Sequence, residues 1–414
     1  MRLNNKTSVI LVYISKVVNS ILHFLITWVV TRKIADTTTF GKYSYVLTIT
    51  AYIAVFFGFG FNDGLMNLVV NYKDEAKSRE LCGLGFLINA VFSILYSITV
   101  FIYGILDKGV ALNFFIIIFS QSIIMNDLLN RMSISQKRTD LILLNNFLIY
   151  STILLLYILI DTNYINYLAM YFLIFFIYTN LLYFIGLKPK FNNLKKNYQE
   201  LLGRVKDYGF NVYIGRMASM STYDLDKLML RAFSPIEYVG FYNLGLSCTS
   251  PITMFSDSIM CILFKDMADE DKIKKKVIVV NTTWLFVVSI LFATVGKWIF
   301  PMIFSAKYKY VADCFVELGI LAFFRGLYVP YNNFLAVKGY GKYMRNTAFI
   351  LTGADIVFNS LLIPKYQMKG AIWATIISLI ADNIAHYYYY KKAVKDIKKK
   401  KEENKLSKLA EVTI

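Results

Sequence analysis

The sequence predicts an all-α integral membrane protein, with twelve transmembrane helices in two pseudo-symmetric six-helix bundles. Three observations carry that prediction. Of the 414 residues, 57% are apolar, where a soluble domain holds about 45–50% even with Gly counted. Long uncharged runs recur from residue 9 to residue 390. Charged residues are only 17%, yet the net charge is +18, so the few charges are mostly positive and sit between the runs. Together these exclude a soluble globular protein and a disordered one.

A helix crossing about 30 Å of hydrocarbon needs about 20 mostly apolar residues. Runs 81–105, 141–160, 165–187 and 277–296 meet this with no charge at all. With embedded polar residues allowed, the spans are 8–30, 43–68, 81–105, 111–130, 141–160, 165–187, 208–232, 238–263, 277–303, 311–336, 345–363 and 370–390. Backbone polar groups must be paired inside the bilayer, so each span reads as a helix. The first is too long for a signal-peptide core and lacks a small-residue cleavage site, so it is expected to stay as an anchor.

Orientation follows from Lys and Arg. Of 45 such residues, 31 fall on the side that holds both termini and 10 on the other, with four inside spans. That places both termini in the cytoplasm. The organisation expected is an N-terminal bundle over 1–190, a C-terminal bundle over 191–390 and a basic cytoplasmic tail over 391–414. The tail, with its run KKAVKDIKKKKEENK, reads as a solvated helix extension against anionic headgroups; nucleic-acid binding is the less favoured reading. No connection leaves room for a soluble catalytic domain. Cys82, Cys248, Cys261 and Cys314 share no close spacing, and the only histidines are His23 and His386. No metal site, disulfide framework, cofactor or catalytic residue is expected.

Residues 31–43, TRKIADTTTFGKY, align with 230–242, LRAFSPIEYVGFY, at an offset of 199. Arg32 meets Arg231, Gly41 meets Gly240 and Tyr43 meets Tyr242. The connection NRMSISQKR from Asn130 resembles NFLAVKGYGK from Asn333 in the same order. The alternative is chance similarity of apolar segments. Read as a duplication, the pattern gives two parallel halves, as in transporters with a substrate site between repeats near the midplane.

Three segments then carry a resemblance: FGKYSYVLTITAYIAVFFGFGFN at 40–62, DLDKLMLRAFSPIEYVGFYNLG at 224–245 and NSLLIPKYQMKGAIWATIIS at 359–378. With them the chain resembles the bacterial polysaccharide and O-antigen flippases (Wzx-type) of the multidrug/oligosaccharidyl-lipid/polysaccharide exporter superfamily. The resemblance covers about residues 8–390. One departure is the pair Gln367–Met368, where many members have a Gly in the turn. The resemblance implies a MATE-like fold and no enzymatic activity. It implies alternating-access movement of undecaprenyl-pyrophosphate-linked oligosaccharide across the bacterial cytoplasmic membrane, for O-antigen, capsule or a related surface polysaccharide. The partners it implies are that lipid-linked substrate, membrane lipids, and a polysaccharide polymerase and export proteins, with no nucleic acid.

The residues support a related chemistry on their own. A charge at mid-membrane costs at least about 2.5–3.5 kcal/mol on insertion scales and is a functional candidate by default. In the first span Lys16, Ser20, His23 and Thr27 fall within about 60° of arc. In the seventh, Arg216, Tyr223 and Lys227 do the same. Arg325 adds a cation in the tenth span. Lys16, Arg216, Lys227 and Arg325 are the candidate substrate residues, because Arg clamps phosphate oxygens and Lys supplies a point charge. Snorkelling is the alternative for Lys16, and a structural ion pair with Asp224 or Asp226 is the alternative for Lys227. His23 reads equally as a hydrogen-bonded neutral side chain or a proton carrier.

Carboxylates inside spans are Asp63, Asp224, Asp226, Asp257, Glu317, Asp355 and Asp382. Asp355, Asp382, Asp224 and Asp226 are the candidates for ion coupling, with Asp355 ranked first and Asn359 one turn on. Helix-packing hydrogen bonds are the alternative for each. No Walker A signature exists, so ATP drive within the chain is excluded. Two other functions compete. A multidrug or organic-cation exporter of the same superfamily would prefer an acidic, aromatic cavity, whereas these stripes are basic. A membrane glycosyltransferase or polymerase usually carries a large outer loop, whereas the outer loops here are short.

Overall fold

The computed structural model describes residues 5–72, 74–107 and 109–412, with side chains omitted at some helical positions. Among the described residues there are helices and turns and no strand. Five helices are long and apolar enough to cross a membrane: Glu75–Leu106, Thr139–Leu159, Tyr164–Leu187, Lys275–Phe304 and the stretch Gly341–Glu403. Four of them contain the four charge-free runs of the sequence, apart from Ile160, which caps its helix. Packing divides the chain into two units, Met1–Leu244 with Met302–Tyr308, and Gly245–Pro301 with Lys309–Ile414.

The first unit begins with α1 (Asn5–Lys33). α2 (Thr37–Val55) is started by Asp36, whose carboxylate accepts from the Thr39 amide at 2.7 Å. That bond satisfies one of the orphan N–H groups of the first turn and holds the Asp36 carboxyl below the usual carboxylate range. The sequence expects one helix over 43–68, but the chain breaks after Val55. α3 (Phe61–Asn71) starts anew from Gly60, which has φ +77°. Gly60 permits the break, because it holds left-handed backbone and an added Cβ there would collide with the Gly209 carbonyl. The freed Phe56 carbonyl accepts from the Tyr213 hydroxyl at 3.0 Å.

α4 (Glu75–Leu106) is capped by Asp74. Its exposed side chains Leu87, Val91, Ile94, Ile98, Phe101 and Ile105 recur at helical spacing, an apolar stripe for lipid. The expected 111–130 span is two pieces, α5 (Phe114–Phe119) and α6 (Ser122–Ser135), so α6 continues five residues past the expected end. α7 (Thr139–Leu159) and α8 (Tyr164–Leu182) follow, the latter ending in a π-turn, Tyr183–Leu187. The 188–207 connection holds an amphipathic helix, α9 (Leu194–Arg204), then a π-turn at Val205–Gly209 that leads into α10 (Phe210–Phe233). A core of Leu65, Leu81, Leu128, Met132, Tyr183 and Leu201 joins α3, α4, α6, the first π-turn and α9.

α11 (Glu237–Asp269) begins in this unit, and its start crosses the start of α2 closely. A Cβ on Gly240 would lie 3.0 Å from Gly41 Cα, and Thr38 donates to Glu237 at 3.1 Å. Only glycine lets the two backbones approach this far.

From the second unit α12 (Lys275–Leu291) passes through a π-turn, Phe292–Gly296, into α13 (Lys297–Phe304), whose last three residues belong to the first unit. The expected span 311–336 is three pieces: α14 (Lys309–Asp313), α15 (Phe315–Leu327) and α16 (Val329–Val337). Pro330 in the first turn of α16 has no N–H to give the preceding helix, which fixes the break at Tyr328. Last comes α17 (Gly341–Val412), one helical stretch broken at Gln367, where φ is 52° and ψ is −128°. That break is the expected turn between the last two spans. Gly370 lets the two segments pass, since a Cβ there would strike the Leu362 carbonyl.

Candidate functional site

A cavity of about 260 Å³ opens in the first unit at the break between α2 and α3. Ala51 and Ala54 of α2 and Gly58 of the break keep its walls small. Asn62 of α3, Asp127 of α6 and Asp224 of α10 supply its polar groups. Irregular backbone at membrane depth is tolerated where it lines such a cavity. Broken helices commonly present their freed polar groups to a substrate.

Two ionic clusters frame it. Arg131 of α6 donates to Asp127, one turn back, at 2.8 and 2.9 Å and also bonds the buried Asp63 of α3. Asn62 gives its amide to Asp127 at 3.0 Å and exchanges bonds with the buried Asn89 at 2.8 and 3.2 Å. On α10, Lys227 bonds Asp224 at 2.7 Å. Asp226 accepts from the Lys227 amide at 2.7 Å and from the Tyr242 hydroxyl. Among the described side chains these clusters hold four carboxylates against two cations. Among the described side chains the chemistry available is mainly hydrogen-bond acceptance.

The sequence candidates distribute as follows. Lys227 is in an ion pair with Asp224, the alternative its neighbours allowed. The side chains of Lys16 and Arg216 lie outside the described residues. His23 sets its ring edge-on to Tyr150 at 6.0 Å. Arg325 lies in α15 of the second unit, as do Asp355 and Asp382 in α17. Asp355 is buried and so is Asn359, neither of whose amide atoms has a hydrogen-bond partner among the described residues. Asp382 is buried one turn before His386. The His386 Nδ1 lies 3.0 Å from both the Asp382 backbone oxygen and its carboxylate, the latter without hydrogen-bond geometry. His386 Nε2 is 3.3 Å from Thr347 and 3.3 Å from Asn332.

Sequence reasoning missed Arg131, Asp127 and His386. Arg131 fell just beyond the expected end of its span and counted as a loop cation. The signal that could have found the cavity was the FGFG run at 57–60, an interruption inside an apolar segment.

The family described as polysaccharide biosynthesis protein matches residues 6–264. The chain belongs to that family. Two of the three resembling segments, 40–62 and 224–245, lie inside the match. A curated relative of this polysaccharide biosynthesis protein is the uncharacterized membrane protein MJ1068 of Methanocaldococcus jannaschii. It is 27% identical over 204 residues, which are 45% of this chain and 39% of that protein. The chain thus covers well under two thirds of that relative's length. The fold is similar to the lipid II flippase MurJ in an inward closed conformation, with TM-score 0.74 and 16% identity over 93% of this chain and 89% of that one. It is also similar to an inward-facing multidrug resistance MATE family transporter of the MOP superfamily. There the TM-score is 0.70 at 10% identity, over 92% of this chain and 96% of that one. This polysaccharide biosynthesis protein is therefore an all-helical membrane protein with the fold of the MATE and MurJ transporters.

Proposed function

We propose that this family member moves a lipid-linked oligosaccharide, built on undecaprenyl pyrophosphate, across the cytoplasmic membrane for surface polysaccharide synthesis. One observation carries the reading: a polar cavity at a glycine-built break in the second helix, in a chain of the polysaccharide biosynthesis family. Asn62, Asp127 and Asp224 are suited to sugar hydroxyls, which both donate and accept hydrogen bonds. Lys16, Arg216, Lys227 and Arg325 are proposed to meet the pyrophosphate. Asp355 with Asn359, Asp382 with His386, and Asp224 and Asp226 are proposed to couple the movement to an ion gradient.

The topology proposed is twelve spanning helices in bundles over 1–190 and 191–390, with the 391–414 tail and both termini cytoplasmic. Thr38 bonding Glu237, and Gly41 lying against Gly240, support the duplication, because equivalent residues meet near a two-fold axis. Reporter fusions after Lys190 and after Lys276 should both read cytoplasmic. The polymerase and export proteins are proposed partners, with membrane lipids.

A second reading, export of an organic cation, is favoured by the excess of carboxylates at the cavity. Proteoliposomes separate the two. Labelled undecaprenyl-pyrophosphate oligosaccharide should become accessible to an impermeant reagent only with the protein present. Gradient-driven uptake of an organic cation without that flipping would overturn the first reading in favour of the second.

A further inference from the structure

A groove of about 540 Å³ lies elsewhere in the first unit, where the end of α3, the start of α4, the end of α6 and the π-turn after α8 meet. On the proposed topology these are three cytoplasmic connections: second to third span, fourth to fifth, and sixth to seventh. We propose that this groove binds a phosphate-bearing headgroup at the cytoplasmic membrane surface, with Lys137 and Lys188 as its charge donors and Ser78 as a hydroxyl donor.

Four cations line the groove, Arg79, Lys137, Arg138 and Lys188, against Asp74 and Glu75. Their partners set the two lysines apart. Arg79 is bonded to Glu75 at 2.6 Å. Arg138 is bonded to Asp140 at 3.1 Å and to the Gly186 carbonyl at 3.2 Å. Asp74 is taken up by the Ala76 amide at 2.9 Å. Lys137 and Lys188 are exposed, and among the described residues no carboxylate pairs with either.

A lysine at a helix carboxyl end is ordinary, because the dipole favours a cation there. Three features go beyond that. Both lysines have left-handed backbone, φ 59° and φ 49°, at positions where Gly or Asn is usual. Both line the same groove. The Ser78 hydroxyl in that groove is buried, the residue 6% exposed, with no hydrogen-bond partner among the described residues. A buried donor without a partner points to a ligand oxygen. Two ammonium groups and a hydroxyl match a phosphate, which offers charge and several acceptor oxygens. The site shares no residue with the cavity proposed for transport.

The test uses the purified full chain in detergent, with binding of short-chain phosphatidylglycerol, phosphatidylcholine, undecaprenyl phosphate and inorganic phosphate read by native mass spectrometry. Anionic phosphate ligands should bind more tightly than phosphatidylcholine. The double variant Lys137→Gln/Lys188→Gln should weaken them on the order of tenfold or more. Lys137→Arg/Lys188→Arg should bind as the wild type does, and a melting curve shared by all three shows that the fold is kept. Ser78→Ala should weaken binding by a smaller factor. Competition by inorganic phosphate identifies a soluble phosphate as the ligand. Retention of one lipid against it identifies the phospholipid or the polyprenyl carrier. Equal binding by the Gln pair and the wild type overturns the proposal, as does an Arg pair as weak as the Gln pair.

Discussion

Asp63 and Asp382 are both buried carboxylates, 5% and 1% exposed, yet the two units house them differently. Asp63 has a permanent cation: Arg131, shared with Asp127, bonds it from a neighbouring helix. Asp382 has His386 on its own helix, with Thr347 and Asn332 beyond. A guanidinium keeps its charge at every physiological pH, whereas histidine is the side chain type that exchanges a proton there. The first arrangement is a strut between fixed charges, and the second sets an imidazole beside a carboxylate one turn away on the same helix. The helix breaks differ too. The first unit uses Gly60, built for left-handed backbone, and the second uses Gln367, which is not.

The largest effect is expected from removing the strut. Arg131→Ala takes from the buried Asp63 the guanidinium that bonds it, and breaking a buried ion pair in this way costs about 3–5 kcal/mol. Folded yield and melting temperature of the purified protein should fall sharply. Adding Asp63→Asn to Arg131→Ala should recover much of the loss, since the buried carboxylate's charge goes with it. Two losses that simply add would show that Arg131 acts through packing alone.

Next comes the glycine break. Gly60→Ala meets left-handed backbone and the Gly209 carbonyl at once. Strain and overpacking together cost about 2–4 kcal/mol, and melting of the variant measures it. A variant as stable as the wild type would mean that α2 and α3 straighten freely into one helix.

How far these differences are legible in the sequence follows the physics of each signal. Hydropathy marks a span whatever its partners, so runs 81–105, 141–160, 165–187 and 277–296 are placed correctly. The turn at Gln367 is also legible, because the segment 359–378 resembles the family's turn between the last two spans. Pairing is not. Lys227 with Asp224 lies within one helix at a spacing of three and was anticipated as an alternative. Asp63 with Arg131 joins residues 68 apart, and no local pattern specifies which helices pack. Span ends are the weakest signal, since polar residues inside protein look like loop residues. That is why Arg131 was read outside the membrane. Hydropathy is also blind to the break at Tyr328 in the tenth span, which one proline, Pro330, decides.

A smaller stability effect is expected at the pair Asp382 and His386. Asp382→Asn keeps the shape and removes the charge, so folding stability should move by no more than about 1 kcal/mol. If the pair couples the proposed movement to protons, flipping in proteoliposomes should lose its dependence on an imposed pH gradient in this variant and in His386→Gln. Wild-type gradient dependence in both variants would return the pair to a packing role and leave Asp355 as the coupling candidate.

The smallest change should be a gain. Gln367 holds φ 52° and ψ −128°, a region that glycine occupies and side chains rarely do. Such a conformation costs about 1–3 kcal/mol for a residue with a Cβ. Gln367→Gly removes that strain and adds about 0.5–1 kcal/mol of backbone entropy to the unfolded chain. The balance favours glycine by about 1 kcal/mol, a rise of a degree or two in melting temperature for a chain of this size. Gln367→Ala is the control, because it discards the long side chain but keeps the Cβ, and it should gain nothing. If glycine lowered the melting temperature while alanine left it unchanged, the break would owe nothing to strain. Pro364 and the close pass of Gly370 at Leu362 would then be enough to hold the turn.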